Sequence, residues 1–173
     1  MCGPQFRICD KYKMMTLITH AFTCSGAYSL LIMTGLKRVE NRSAFPTPDK
    51  GRCAVSVSKK FCQDEYDNLM AWLKGKVADE VYVSMPTWDD VKDWPGRIVG
   101  TIDYWVKRPY ECTREDLAER RMWQEGYGIW WNLANPVIFK EPVPCRGYCG
   151  FWKLSDEVSA KVNEVDSCRT ATE

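Results

Sequence analysis

Apolar and polar positions along this chain change period several times, and each change marks an element. Residues 15–23 read as a first strand, and residues 26–34, apolar at most positions, predict a helix. Gly35 follows where a glycine in the left-handed conformation ends a helix. Residues 35–42 predict a strand, in which side chains alternate in direction. Lys37, Val39 and Asn41 then share one face, and Arg38, Glu40 and Arg42 the other. Pro46-Thr47-Pro48-Asp49-Lys50-Gly51 is a turn by composition, because proline fixes backbone angles and glycine allows a tight reversal. Cys53, Val55 and Val57 alternate with Ala54, Ser56 and Ser58, the pattern of a half-buried strand.

Further along, Tyr66, Leu69, Met70 and Leu73 recur at helical spacing, so residues 63–73 predict a helix with Gly75 just past its end. Residues 85–96 hold Trp88 and Trp94 among three aspartates and a lysine, bounded by Pro86 and Pro95, and read as a surface loop or short helix. Residues 97–106 form a long central strand. Thr113 and Asp116 then offer a helix N-cap and its reciprocal partner for a charged helix to about residue 124. Segments 128–134, 137–140 and 148–154 complete the sheet, residues 156–165 form an outer amphipathic helix, and 167–173 are a polar tail. Strands dispersed among short helices without regular alternation define an α+β fold. The expected organisation is an extension over 1–14, a domain over 15–154, and a closing helix and tail over 155–173.

Composition narrows the class. At 173 residues, with 45% hydrophobic and 27% charged side chains, the chain has the balance of one globular domain. No apolar run approaches the roughly 20 residues of a membrane span, and residues 1–12 lack the apolar centre of a signal peptide. The expectation is an intracellular protein of cytoplasm or nucleus, with no membrane partner. Nine cysteines are an odd number without a Cys-x-x-Cys pair, and His20 is the single histidine, so neither a disulfide framework nor a zinc site follows. No metal or cofactor is expected. Net charge is only +1, yet residues 1–60 hold ten Lys and Arg against three Asp and Glu. Lys37, Arg38, Arg42, Lys50, Arg52, Lys59 and Lys60 belong to this basic third, which predicts a local anion-binding face unless acidic helices fold back over it.

The octet Gly35-Leu36-Lys37-Arg38-Val39-Glu40-Asn41-Arg42 fits the pattern Gly-x-Lys-x-x-Glu-x-Arg. Through it the chain resembles the ASCH domain, a branch of the PUA-like superfamily that includes small stand-alone proteins. The likeness continues in order through Pro46-Thr47-Pro48, Gly51-Arg52, the strand ending at Lys59-Lys60, Ile98-Val99-Gly100-Thr101-Ile102-Asp103, Asn132 to Pro136 and Gly147 to Leu154, covering about residues 15–154. The resemblance implies a small twisted β-barrel flanked by short helices, with a pocket between the motif strand, the helix before it and the central strand.

It also implies roles. Lys37 and Arg42 become cationic donors to phosphate or a base edge, with Arg38 beside them, and Glu40 orients a cation or accepts from an exocyclic amine. Ser58 and Lys59 fall where relatives carry polar pocket residues. From the sequence itself, Trp88 and Trp94 are stacking surfaces for bases, and Asp103, the one acid in an apolar strand, is either a catalytic group or the ion-pair partner of a motif cation. The expected function is binding of nucleic acid, RNA or single-stranded DNA, or of a nucleoside. The alternative is a small amidohydrolase acting on a modified nucleoside such as acetylcytidine, with Lys37, Glu40 and Asp103 as its groups. One such branch of the family carries Lys and Thr three apart, and Glu40 stands here at the threonine position.

Overall fold

The computed structural model describes residues 17–107, 111, 113, 114 and 129–170, the last three of these by backbone alone. The expected helix beyond Arg114, with Glu115 and Glu119, the extension 1–14 and residues 171–173 lie outside them. The described elements run β1 (His20–Cys24), α1 (Gly26–Met33), β2 (Val39–Arg42), β3 (Lys50–Val57), α2 (Gln63–Leu73), α3 (Asp79–Val83), α4 (Trp88–Val91), β4 (Arg97–Val106), β5 (Ile129–Pro144), β6 (Phe151–Lys153) and α5 (Asp156–Thr170). This is an α+β fold built on one mixed sheet, with strand order β2-β5-β4-β3-β1-β6. β1 and β3 run parallel, and the other pairings are antiparallel.

The sheet is strongly curled. Laid flat, β5 and β6 would be four inter-strand steps apart, roughly 19 Å at about 4.8 Å per step. Instead Phe151 on β6 lies 5.2 Å from the ring of Trp131 on β5, and 5.3 Å from Tyr104 on β4. The sheet is therefore a half-barrel with an aromatic interior. Phe22, Val55, Ile102, Tyr104, Trp131 and Leu133 fill the concave side together with α1. On the convex side Ala21, Ala54, Ile98, Phe139 and Val143 pack against Val162 of α5.

α1 explains why the motif sits where it does. Its apolar residues Leu30, Leu31, Ile32 and Met33 are all buried, so the helix is sunk into the core rather than laid upon it. Ser25 caps its start, accepting from the Tyr28 amide at 3.4 Å. At the other end Gly35, at φ 76°, reverses the chain, and the Lys37 amide donates back to the Leu31 carbonyl at 2.9 Å. The chain is still completing this reversal at Lys37, so β2 begins only at Val39.

Several expectations change. The first strand begins at His20, and the last sheet segment is confined to Phe151–Lys153. The segments expected at 128–134 and 137–140 are, over the described residues, not two strands but parts of the continuous β5 (Ile129–Pro144), bent where Asn135 takes φ 51° ahead of Pro136. Asn tolerates that conformation, so a turn-like dipeptide bends a strand without ending it. α5 continues to Thr170 through residues expected to be tail. The short helix α3 was not expected. No helix among the described residues is long and apolar enough to cross a membrane.

Candidate functional site

Three motif side chains meet at the concave edge of the sheet. Lys37 is 3% exposed; its Nζ donates to Glu40 Oε2 at 2.8 Å and to the Val39 carbonyl, and it lies 5.3 Å from the Tyr28 ring centre. Glu40 Oε1 pairs with Arg42 Nη2 at 2.9 Å. Arg42 in turn reaches across the open seam of the half-barrel, donating to the Thr23 carbonyl at 2.9 Å and to Cys24 Sγ at 3.4 Å. Its guanidinium carbon stands 5.0 Å from the ring centre of Phe22 and 6.0 Å from that of Trp131. Alternation correctly places Glu40 and Arg42 on one face. Lys37, expected on the other, joins them because it precedes the strand and the reversal swings it round.

The charge balance here is uneven. Two cations share one carboxylate, and no other carboxylate among the described residues lies within ion-pair distance of them. One positive charge is thus in excess in a site largely removed from water, where unpaired charge is costly. Two donors are also idle, Arg42 Nε and the indole Nε1 of the 1%-exposed Trp131, which have no hydrogen-bond partner. Cys24 does not supply the missing anion. Burial first, then the neighbouring Glu40 charge, pushes its thiol far up, against the pull of Arg42 and Lys37, so it stays neutral.

At the rim, Ser58 donates its amide to the Cys24 carbonyl at 2.8 Å, which brings the turn Ser58-Lys59-Lys60 beside the triad with both lysines exposed. Arg38 is also exposed, and its carbonyl accepts from the Leu133 amide at 2.8 Å. Ser58, Lys59 and the motif residues therefore gather at one end of the sheet.

Other residues singled out from sequence lie elsewhere. Ile102 and Tyr104 face the concave core, so Asp103 between them faces the convex side. There it pairs with Arg52 at 2.8 Å and accepts from Asn135 at 2.9 Å, and it meets no motif cation. Lys37, Glu40 and Asp103 are not one constellation. Arg52, counted in the basic face, is spent on Asp103, Thr101 (2.8 Å) and Asp166 of α5 (3.3 Å), an acidic helix folding back as the alternative foresaw. The reading of Trp94 as a surface platform is corrected: at 3% exposure it belongs to the core. Trp88 is half-buried between Phe61 and Tyr66, at ring separations of 5.5 and 5.8 Å. Four-residue α4 turns both indoles inward and leaves Asp89, Asp90 and Asp93 outside.

Sequence reading missed Phe22, Thr23 and Cys24, whose strand gives no chemical signal until Arg42 is seen against it. It also gave no binding role to Arg146 and Tyr148, which with Trp152 wall a cavity of about 700 Å³; an arginine and a tyrosine flanking glycine were the available hint. No three His, Cys, Asp or Glu side chains converge as a metal site needs among the described residues. No family model matches the chain, and no curated protein matches it significantly.

Proposed function

We propose that this chain is a nucleic-acid-binding module of ASCH type on a PUA-like barrel, with Lys37, Glu40, Arg42 and the Ser58–Lys60 turn at its binding site. The observation that carries this reading is the buried excess positive charge, left with the unused Arg42 Nε donor. A phosphate supplies both the missing negative charge and the acceptor, and guanidinium is the natural partner for it. Exposed Lys59 and Lys60 at the rim extend that field along a backbone.

The amidohydrolase reading has less support. The Lys37 nitrogen is engaged as donor on two sides, the opposite of a general base awaiting a proton. Asp103 lies on the far face, and Cys24 is a neutral thiol rather than a nucleophile.

The test is fluorescence anisotropy with single-stranded RNA, single-stranded DNA and duplex DNA at two salt concentrations, wild type beside Arg42→Gln and Arg42→Lys. A single strand is expected to bind with log affinity falling by about 0.7 per log unit of salt for each phosphate contacted. Arg42→Gln loses at least about tenfold and Arg42→Lys less, because the point charge survives without the fork. Absence of binding to all three polymers, or wild-type affinity in folded Arg42→Gln, refutes the proposal.

A further inference from the structure

The 700 Å³ cavity opens on the convex side beside edge strand β6, between the loop 145–150 and the first turn of α5. Its volume falls within the range of small-ligand sites, about 300–1,000 Å³. Tyr148 and Trp152 stand 5.3 Å apart with their planes at 66°, forming an angular notch. The Arg146 guanidinium carbon lies 5.4 Å from the Tyr148 ring centre. The indole N–H of Trp152 is tied to Thr23 Oγ1 at 3.2 Å, whereas Tyr148 is 52% exposed. One ring is fixed and the other is accessible. Arg146 and Lys153 line the cavity against the single carboxylate of Asp156. Aromatic and guanidinium planes under a net positive rim are the chemistry that recognises an unstacked base together with its phosphate.

Position links this cavity to the motif cluster. Thr23 serves both: its carbonyl accepts from Arg42 and its hydroxyl from Trp152. Gly147 sits so close to the same strand that a Cβ there would stand 2.8 Å from Thr23 Oγ1 and 3.0 Å from Ser56 Oγ, which seats the loop over β1. We propose that Tyr148, Trp152 and Arg146 form a base-stacking subsite for single-stranded nucleic acid, filled by a nucleotide neighbouring the one held at Arg42. This rests on the nucleic-acid reading above and narrows its ligand to a flexible strand of more than one nucleotide. A duplex, whose bases are already stacked, cannot fill the notch, and a mononucleotide fills only one of the two places.

The experiment compares a labelled mononucleotide with a labelled short single-stranded oligonucleotide on wild type, Tyr148→Ala, Tyr148→Phe, Arg146→Ala and Arg42→Gln. Tyr148→Ala is expected to weaken the oligonucleotide by about 5- to 150-fold, the worth of one stacked base, and to leave the mononucleotide unchanged. Tyr148→Phe binds as wild type does. Arg146→Ala makes the oligonucleotide's salt slope shallower by about 0.7. Oligonucleotide binding that Arg42→Gln abolishes and Tyr148→Ala leaves intact overturns the subsite while the functional reading stands. Absence of oligonucleotide binding to wild type overturns both.

Discussion

Removing the negative member of the buried triad and removing one positive member have very different consequences. In Glu40→Gln, Lys37 at 3% exposure and the Arg42 side chain at 16% are left facing each other without a counter-charge. Stranding buried charge in this way costs about 3–5 kcal/mol. In Lys37→Met, Glu40 keeps Arg42 at 2.9 Å, and the remaining pair is neutral. That variant loses the Nζ bonds to Glu40 and to the Val39 carbonyl and the contact with Tyr28; relief of the excess charge and a methionine that suits the buried site offset much of this, leaving a net cost of about 1–2 kcal/mol. Urea unfolding followed by tryptophan fluorescence separates the two. With a slope of about 2 kcal/mol/M, Glu40→Gln lowers the midpoint by about 2 M and Lys37→Met by less than about 1 M. If Lys37→Met unfolds as early as Glu40→Gln, both cations are needed for neutrality, and the excess charge at the centre of the functional reading does not exist.

Two further outcomes follow from the geometry. His20 is the chain's single histidine, and burial, reinforced by Lys153, lowers its pKa from the ordinary 6.5. The unfolded chain therefore binds more protons just below pH 6.5, so stability falls as pH drops from about 6.5 and levels off below the folded pKa. Its lone NMR imidazole signal should titrate below 6.5; a midpoint at or above that value removes the effect. Arg52→Ala leaves Asp166 without its cation and is expected to cost about 1.5–3 kcal/mol, with amide exchange rising first in α5. Unchanged protection of Ser159 and Val162 would show that apolar packing alone holds the helix.

The elements legible in sequence were those whose pattern is local. Gln63–Leu73 keeps helical spacing between a clear start and Gly75, and Arg97–Val106 is an unbroken run between Gly96 and a charged segment, so both match their expected spans. The motif octet was legible as a cluster but not as a geometry. Alternation holds only within a strand, and Lys37 lies in the reversal that α1 forces. Trp94 illustrates a different failure. Its neighbours Asp93, Lys92 and Pro95 describe a surface, yet one turn of helix is enough to drive the indole inward. Asn135-Pro136 reads as a turn, but flanking ladders to β4 on both sides outweigh that local preference. The shorter of Arg42's two hydrogen bonds to β1 goes to the carbonyl of Thr23, an acceptor every residue possesses, so no side-chain signal announces it.

The edge pairing of β1 with β6 also constrains how the protein comes to exist. His20 pairs with Lys153 and Phe22 with Phe151, while β2 finds its partner in β5, so early segments wait for late ones. Loops of that length make nucleation slow, and during synthesis β1, α1 and β2 emerge long before either partner strand is made. The seam that Arg42 spans cannot take shape until residues near 152 have left the ribosome. A fragment ending after β4 would hold the whole motif without β5 and β6, and so without the seam.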